Sequence, residues 1–184
     1  MKDLSLNMLD IAENSVKAGA TLTVLEVIEE GNKLVFRVSD DGIGMTQETL
    51  NRVSDPFYTT RTTRKVGMGI PLLRLAAEMT GGKMEILSKH ISEYPNDHGT
   101  IVTAEFFTDH IDCPPVGDMV ATVTTLIQGH PDTDFHFRHS FGDTEVELDT
   151  RELKNVLGDV SLAEYEVLQW ITGFMKEQYD SLKA

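Results

Sequence analysis

The chain has 184 residues, is 40% apolar and carries a formal net charge of −14, which allows one domain of ordinary size, with or without a small appendage, around a real core. No window approaches the roughly 18 unbroken apolar residues of a membrane span, and Cys113, the single cysteine, excludes an internal disulfide and a cysteine metal cluster. Acidic charge repels phosphate backbones and argues against a nucleic-acid partner.

The N-terminus, Met1 to Asn7, lacks the apolar run of a signal peptide, so the expected address is the cytoplasm and no membrane partner is expected. Residues 3 to 18 read as a helix with Leu4, Met8, Ile11, Ala12 and Ser15 on one face, ended by Ala18-Gly19. Asp10 and Asn14, four apart, stand one above the other on it, with Lys17 one further turn along and Glu13 turned toward solvent. Thr21 to Glu29 and Lys33 to Ser39 form a hairpin pattern around Glu30-Gly31-Asn32, and the apolar residues of the second recur at every second position. The second strand delivers Asp40-Asp41-Gly42-Ile43-Gly44-Met45: a carboxylate at a strand end, then glycines that permit a turn and a close backbone approach.

Thr46 can cap a short helix over Gln47 to Val53. A loop rich in hydroxyl and basic groups follows, including Phe57, Tyr58, Thr59, Thr60, Arg61, Arg64 and Lys65, and ends at Gly67-Met68-Gly69 before an apolar helix over Ile70 to Met79. Lys83 to Ser88 and Thr100 to Phe107 read as two further strands. Composition then shifts. From Asp109 onward there are 15 acids against 5 Lys or Arg, a balance of −10, and residues 1 to 108 carry the remaining −4. Asp112-Cys113-Pro114-Pro115 reads as a linker, Gly117 to Gln128 as a helix, and Asp134 to His139 with Thr144 to Leu148 as a hairpin. Two helices follow, each opened by a capping box, Asp149 to Glu152 and Ser161 to Glu164. In the last helix Leu168, Trp170, Ile171, Phe174 and Met175 form an apolar stripe expected to pack inward. The six histidines are expected at the surface, with His136 and His139 on opposite faces of their strand.

Together these pieces describe a nucleotide site. A glycine pair at a helix N-terminus offers free N–H groups and the positive end of the dipole, the preceding loop supplies cations and hydroxyls for a polyphosphate, and Asn14 supplies a neutral oxygen suited to Mg²⁺. Residues 9 to 21, Leu-Asp-Ile-Ala-Glu-Asn-Ser-Val-Lys-Ala-Gly-Ala-Thr, resemble the asparagine box of the gyrase, Hsp90, histidine kinase and mismatch-repair ATPase superfamily, most closely its mismatch-repair version. Ser39 to Met45 match its first glycine box, Asp-x-Gly-x-Gly. Asp55 to Arg61 followed by Val66 to Ile70 are similar to the phenylalanine box and second glycine box of histidine kinase catalytic domains, and Gly99-Thr100 matches the last box. The likeness covers residues 1 to 107 and nothing beyond.

The resemblance implies the Bergerat fold over residues 1–108: a mixed, mostly antiparallel sheet covered by helices on one face. The pattern of residues 109–184 adds the expectation of a small acidic α+β appendage. The resemblance also implies that Asn14 coordinates Mg²⁺ on the phosphates of ATP, and that Asp40 accepts from the adenine amino group with Thr100 behind it. Gly42, Gly44 and Met45 would then approach base and sugar. Thr59, Thr60, Arg61, Gly67, Met68 and Gly69 would form the lid and meet the phosphates. Lys17 either touches a phosphate or serves the helix dipole. Asp10 stands where hydrolysing relatives commonly carry a glutamate general base; it either acts as that base or orients Asn14 and Lys17. The sequence before the first helix leaves no room for a phosphoacceptor histidine hairpin, so a separate regulatory partner protein is expected. Two functions fit the resemblance: hydrolysis of ATP or transfer of its γ-phosphate to that partner, and a nucleotide-sensing, anti-sigma-like switch without turnover.

Overall fold

The computed structural model describes residues 3–53 and 69–183. Its elements are α1 (Leu4–Lys17), β1 (Leu22–Glu30), β2 (Lys33–Asp40), α2 (Gln47–Val53), α3 (Gly69–Met79), β3 (Lys83–Lys89), β4 (Gly99–Phe107), α4 (Met119–Gly129), β5 (Asp134–Phe141), β6 (Thr144–Asp149), α5 (Thr150–Leu157) and α6 (Tyr165–Lys183). The described strands form one sheet in the order β3-β4-β2-β1-β5-β6. β1 and β5 run parallel and every other neighbouring pair is antiparallel, as expected for the fold class.

Period-two alternation places one apolar set per strand on a common face. Val38 lies opposite both Leu25 and Val102, and Leu25 opposite Phe137, so their side chains point the same way. α1, α3, α4 and α6 bring Met8, Ile11, Leu73, Leu126, Ile171 and Met175 to the same cluster. The other face is open and carries cross-strand ion pairs such as Arg37–Glu26 at 3.4 Å and Arg138–Glu145 at 3.0 Å. Solvated pairs of this kind contribute about 0–1 kcal/mol each, so the sheet is held by its covered face.

The segment from Asp109 onward is α+β, and it extends this same sheet: β5 pairs along β1, and α4 packs on α1. The stretch read as a linker also serves the first helix. Pro115 and Val116 accept at 2.9 and 2.8 Å from the N–H groups of Leu4 and Ser5, while the Asp3 carboxylate caps the N–H of Leu6. Three donors that α1 cannot satisfy internally are thereby met.

Several sequence expectations are corrected. The Ser161–Glu164 box does not open a helix; Ser161 accepts from the N–H of Ala163 through its hydroxyl and from that of Glu164 through its carbonyl, closing a turn before α6 starts at Tyr165. Glu13 is not freely solvated but meets His130 Nε2 at 2.9 Å. His139 is buried at 3% exposure, because strand parity sets it opposite Val27 and Val146 on the covered face, whereas His136 on the open face meets Glu147. On α6, Leu168, Ile171 and Met175 are buried, but Trp170 and Phe174 are 52% and 36% exposed. At about 100° per residue the two aromatics lie to one side of that buried arc, Phe174 about 60° and Trp170 about 100° around the helix from Ile171.

Candidate functional site

Four residues align in one rung across the sheet at the C-terminal end of β2. Ser88 on β3 lies opposite Thr100 on β4, Thr100 opposite Asp40 on β2, and Asp40 opposite Thr23 on β1. The rung belongs to the helix-covered face, and the end of α1 lies over it. Ser15, buried on the inner side of α1, donates through Oγ to Asp40 Oδ2 at 2.6 Å, and Gly42 N–H donates to Asp40 Oδ1 at 2.9 Å. The carboxylate is therefore fixed from both oxygens, and each keeps a lone pair free to accept from a ligand. Thr23 Oγ1, fully buried in that rung, has no hydrogen-bond partner among the described residues.

The Asp-Asp-Gly-Ile-Gly turn is held from all sides. Asp41 turns back to β1 and accepts from the N–H groups of Thr21 and Leu22 at 2.7 and 3.0 Å and from the Thr21 hydroxyl. Burial acts to raise the Asp41 pKa, but these hydrogen bonds outweigh it and hold the carboxyl below its ordinary range. Ile43 N–H donates to Ala18 O at 2.9 Å, and Met45 N–H to Ser88 Oγ at 2.7 Å. His98 Nδ1 lies 2.5 Å from Gly42 O, and Ser88 and Thr100 share a hydroxyl contact at 2.8 Å. Two glycines are sterically required. A Cβ on Gly44, at φ +74°, would stand 2.0 Å from Lys89 O, and one on Gly99, at φ +145°, 2.0 Å from Asp40 O.

α1 presents Asp10, Asn14 and Lys17 on an exposed ridge beside this rung. Asn14 and Asp10 make no side-chain hydrogen bond among the described residues, so the Asn14 oxygen is available to a hard cation. Desolvation raises the Asp10 pKa, Glu13 raises it further, and Lys17 pulls it down. Gly69, the first residue of α3, faces Asp10: a Cβ there would lie 3.6 Å from Asp10 Cβ. The N-terminus of α3, an end that favours anions, thus adjoins the Asp10–Asn14 ridge. Thr59, Thr60, Arg61, Gly67 and Met68, like Phe57 and Tyr58, lie outside the described residues.

Ser15, Ser88, His98 and Thr23 are members of this arrangement that sequence reasoning did not assign. The signal for Ser15 was present: a hydroxyl on the apolar face of a helix needs a partner inside. Ser88 and His98 gave none, since their neighbours come from distant β-pairing.

The donor set fits a purine nucleotide with a divalent cation: a fixed carboxylate acceptor, an orphaned buried hydroxyl in its rung, an exposed amide oxygen and a helix N-terminus. The profile of the family described as "Histidine kinase-, DNA gyrase B-, and HSP90-like ATPase" matches residues 2–110. The chain belongs to this ATPase family. Among relatives of this chain, Sensor protein KdpD of Clostridium acetobutylicum is 29% identical over 94 residues, 48% of this chain and 10% of KdpD. Sporulation kinase E of Bacillus subtilis is 28% identical over 89 residues, covering 48% of this chain and 12% of the kinase. DNA mismatch repair protein MutL of Thermotoga maritima is 42% identical over 57 residues, covering 31% and 11%. The chain thus matches only a small part of each of these relatives. The fold is shared with the Aquifex aeolicus MutL ATPase domain complexed with ADP, at TM-score 0.56 and 14% identity over 85% of this chain and 69% of that one.

Proposed function

We propose that this chain binds Mg-ATP between α1 and the Asp40 end of the sheet, and that it hydrolyses the nucleotide or passes the γ-phosphate to a separate regulatory protein in the cytoplasm. The observation that carries this reading is the carboxylate of Asp40, held by Ser15 and Gly42 and aimed as an acceptor beside the exposed Asp10–Asn14 ridge. Asp40 accepts the adenine amino hydrogen, with Thr100 and Ser88 beside it in the rung, and Gly42, Gly44 and Met45 let backbone approach base and sugar. Asn14 holds Mg²⁺, which when bound neutralises phosphate charge. Lys17, Gly69 and the loop residues Thr59, Thr60, Arg61, Gly67 and Met68 meet the phosphates. Asp10 takes the proton of the attacking nucleophile; its arm is one methylene shorter than a glutamate's, which favours transfer through one intervening water. Residues 1–108 are the nucleotide-binding unit and residues 109–184 its acidic accessory.

One observation favours a second reading. Among the described residues nothing hydrogen-bonds Asp10, whereas a general base gains from being oriented. In that reading ATP remodels a docking surface without turnover, as an anti-sigma-like switch. ATP titration with and without Mg²⁺, on the native chain and on Asp40→Asn and Asp10→Asn, tests both. Asp40→Asn weakens binding in either reading. Turnover lost in Asp10→Asn with binding intact marks the enzyme; tight binding without turnover in the native chain alone is the result for the switch and for a kinase without its partner, and label transfer on adding candidate partners separates those two.

A further inference from the structure

Trp170 and Phe174, one turn apart on α6, stack on each other at 4.9 Å between ring centroids with planes 9° apart, and both stand in solvent. Between them lies Gly173, in the middle of a 19-residue helix. Glycine weakens a helix interior, so its presence there calls for a reason. The fold supplies none: its φ is not positive, and a Cβ added at Gly173 would meet nothing within 4 Å.

The same face carries Glu166 one turn before Trp170 and Glu177 shortly after Phe174, both exposed. From Glu166 to Glu177 these residues share an arc of about 100° that includes no basic residue. Neither carboxylate meets a cation among the described residues. The ledge is thus apolar and aromatic at its centre, backbone-thin at one point and acidic at both ends, in the part of the chain that bears −10 of its −14 charge. A second copy would bring like charge to like charge, which disfavours self-association here.

We propose that this face of α6 docks a cationic amphipathic helix of a partner protein. Its apolar side covers Trp170 and Phe174, its backbone approaches closest over Gly173, and its Lys or Arg side chains meet Glu166 and Glu177 or lie over the free indole face. The site is separate from the nucleotide residues, and its occupancy does not depend on them.

Trp170 is the chain's single tryptophan, so its emission reports this face directly. The probe is a synthetic peptide of Leu and Lys patterned as an amphipathic helix, with the same peptide bearing Glu at every Lys as its control. The Lys peptide is expected to shift Trp170 emission to the blue in a saturable, salt-sensitive way. Glu166→Lys with Glu177→Lys should weaken that binding by about tenfold or more. Gly173→Gln should weaken it while raising thermal stability, a combination that mere misfolding does not produce. Asp132→Lys with Asp143→Lys, an equal charge change away from the face, should leave binding within about twofold of native, once long-range steering is allowed for. The proposal is overturned by no shift with the Lys peptide, by an equal response to the Glu peptide, or by equal weakening in the Asp132/Asp143 variant. A blue shift from the protein alone that grows with its concentration would give the face to a second copy, and would also overturn it.

Discussion

At Asp40 two short contacts decide what one carboxylate can do. Ser15 Oγ and Gly42 N–H each take one oxygen, so the side chain is held in one orientation at the end of β2. Ser15→Ala removes one of these holds and leaves a charged acceptor short of a partner, a loss of about 1–3 kcal/mol. The expected outcome is weaker ATP binding by several-fold with an unchanged far-ultraviolet circular dichroism spectrum; unchanged affinity by calorimetry would show that Ser15 does not orient Asp40. Asp10 gives a pH prediction with a definite sign. Desolvation and Glu13 outweigh Lys17 and raise its pKa, so the base form is depleted at a pH above the ordinary aspartate value. Turnover should therefore fall on its acid limb at a higher pH than an unperturbed aspartate would give. A pH–rate profile whose acid limb sits at or below the ordinary value would remove Asp10 as the group seen.

The elements show why some of this was legible in sequence and some was not. β2 was readable because its apolar residues alternate, β1 because it reads with β2 as a hairpin around Glu30-Gly31-Asn32, and the Asp-x-Gly-x-Gly turn because its glycines answer local backbone demands. The need for Gly99 is different: a Cβ there would meet Asp40 O on the neighbouring strand, a contact that exists only once β4 pairs with β2. Gly99→Ala should destabilise the protein by roughly 1–3 kcal/mol through a strained positive φ, and should weaken ATP binding in parallel because Asp40 moves with it. Equal denaturation midpoints for the two proteins would contradict that. Gly173→Ala should do the opposite, gaining roughly 0.5–1 kcal/mol in chemical denaturation because nothing in the fold uses the missing Cβ. On α6 the apolar pattern alone did not separate core from surface. Leu168, Ile171 and Met175 share the buried arc and Trp170 with Phe174 does not, a distinction of helical phase that a list of apolar residues hides.

At the scale of the whole molecule, the feature least visible in sequence is the parallel pairing of β1 with β5. The two strands are more than a hundred residues apart in the chain, and no local pattern announces their register. Its consequence is that residues 1–108 alone would expose the edge of β1 and part of the covered face. We predict that this fragment loses the cooperative thermal transition of the full chain; a fragment melting at the full-chain temperature would show the accessory segment to be dispensable for folding. The same junction is tied by His139, which meets Glu29 of β1 at 2.7 Å and Tyr179 of α6 at 2.8 Å. Burial lowers the His139 pKa in spite of Glu29, and it raises the Tyr179 phenol, so the neutral imidazole accepts the phenol hydrogen and donates to the carboxylate. A histidine with a depressed folded-state pKa leaves its stability contribution intact above about pH 6.5, and that contribution is lost as pH falls through the folded pKa. Melting temperature should therefore drop on acidification below about pH 6.5, and His139→Gln should flatten that slope.

The most direct test of the account as a whole follows the γ-phosphate of labelled ATP, with Mg²⁺, in the native protein and in Asp10→Asn, with nucleotide binding measured on the same samples. The account predicts that the native protein binds ATP and, in its hydrolysing form, releases phosphate, and that Asp10→Asn binds as tightly and releases none. Undiminished release from Asp10→Asn, or an absence of ATP binding in both proteins, would contradict it.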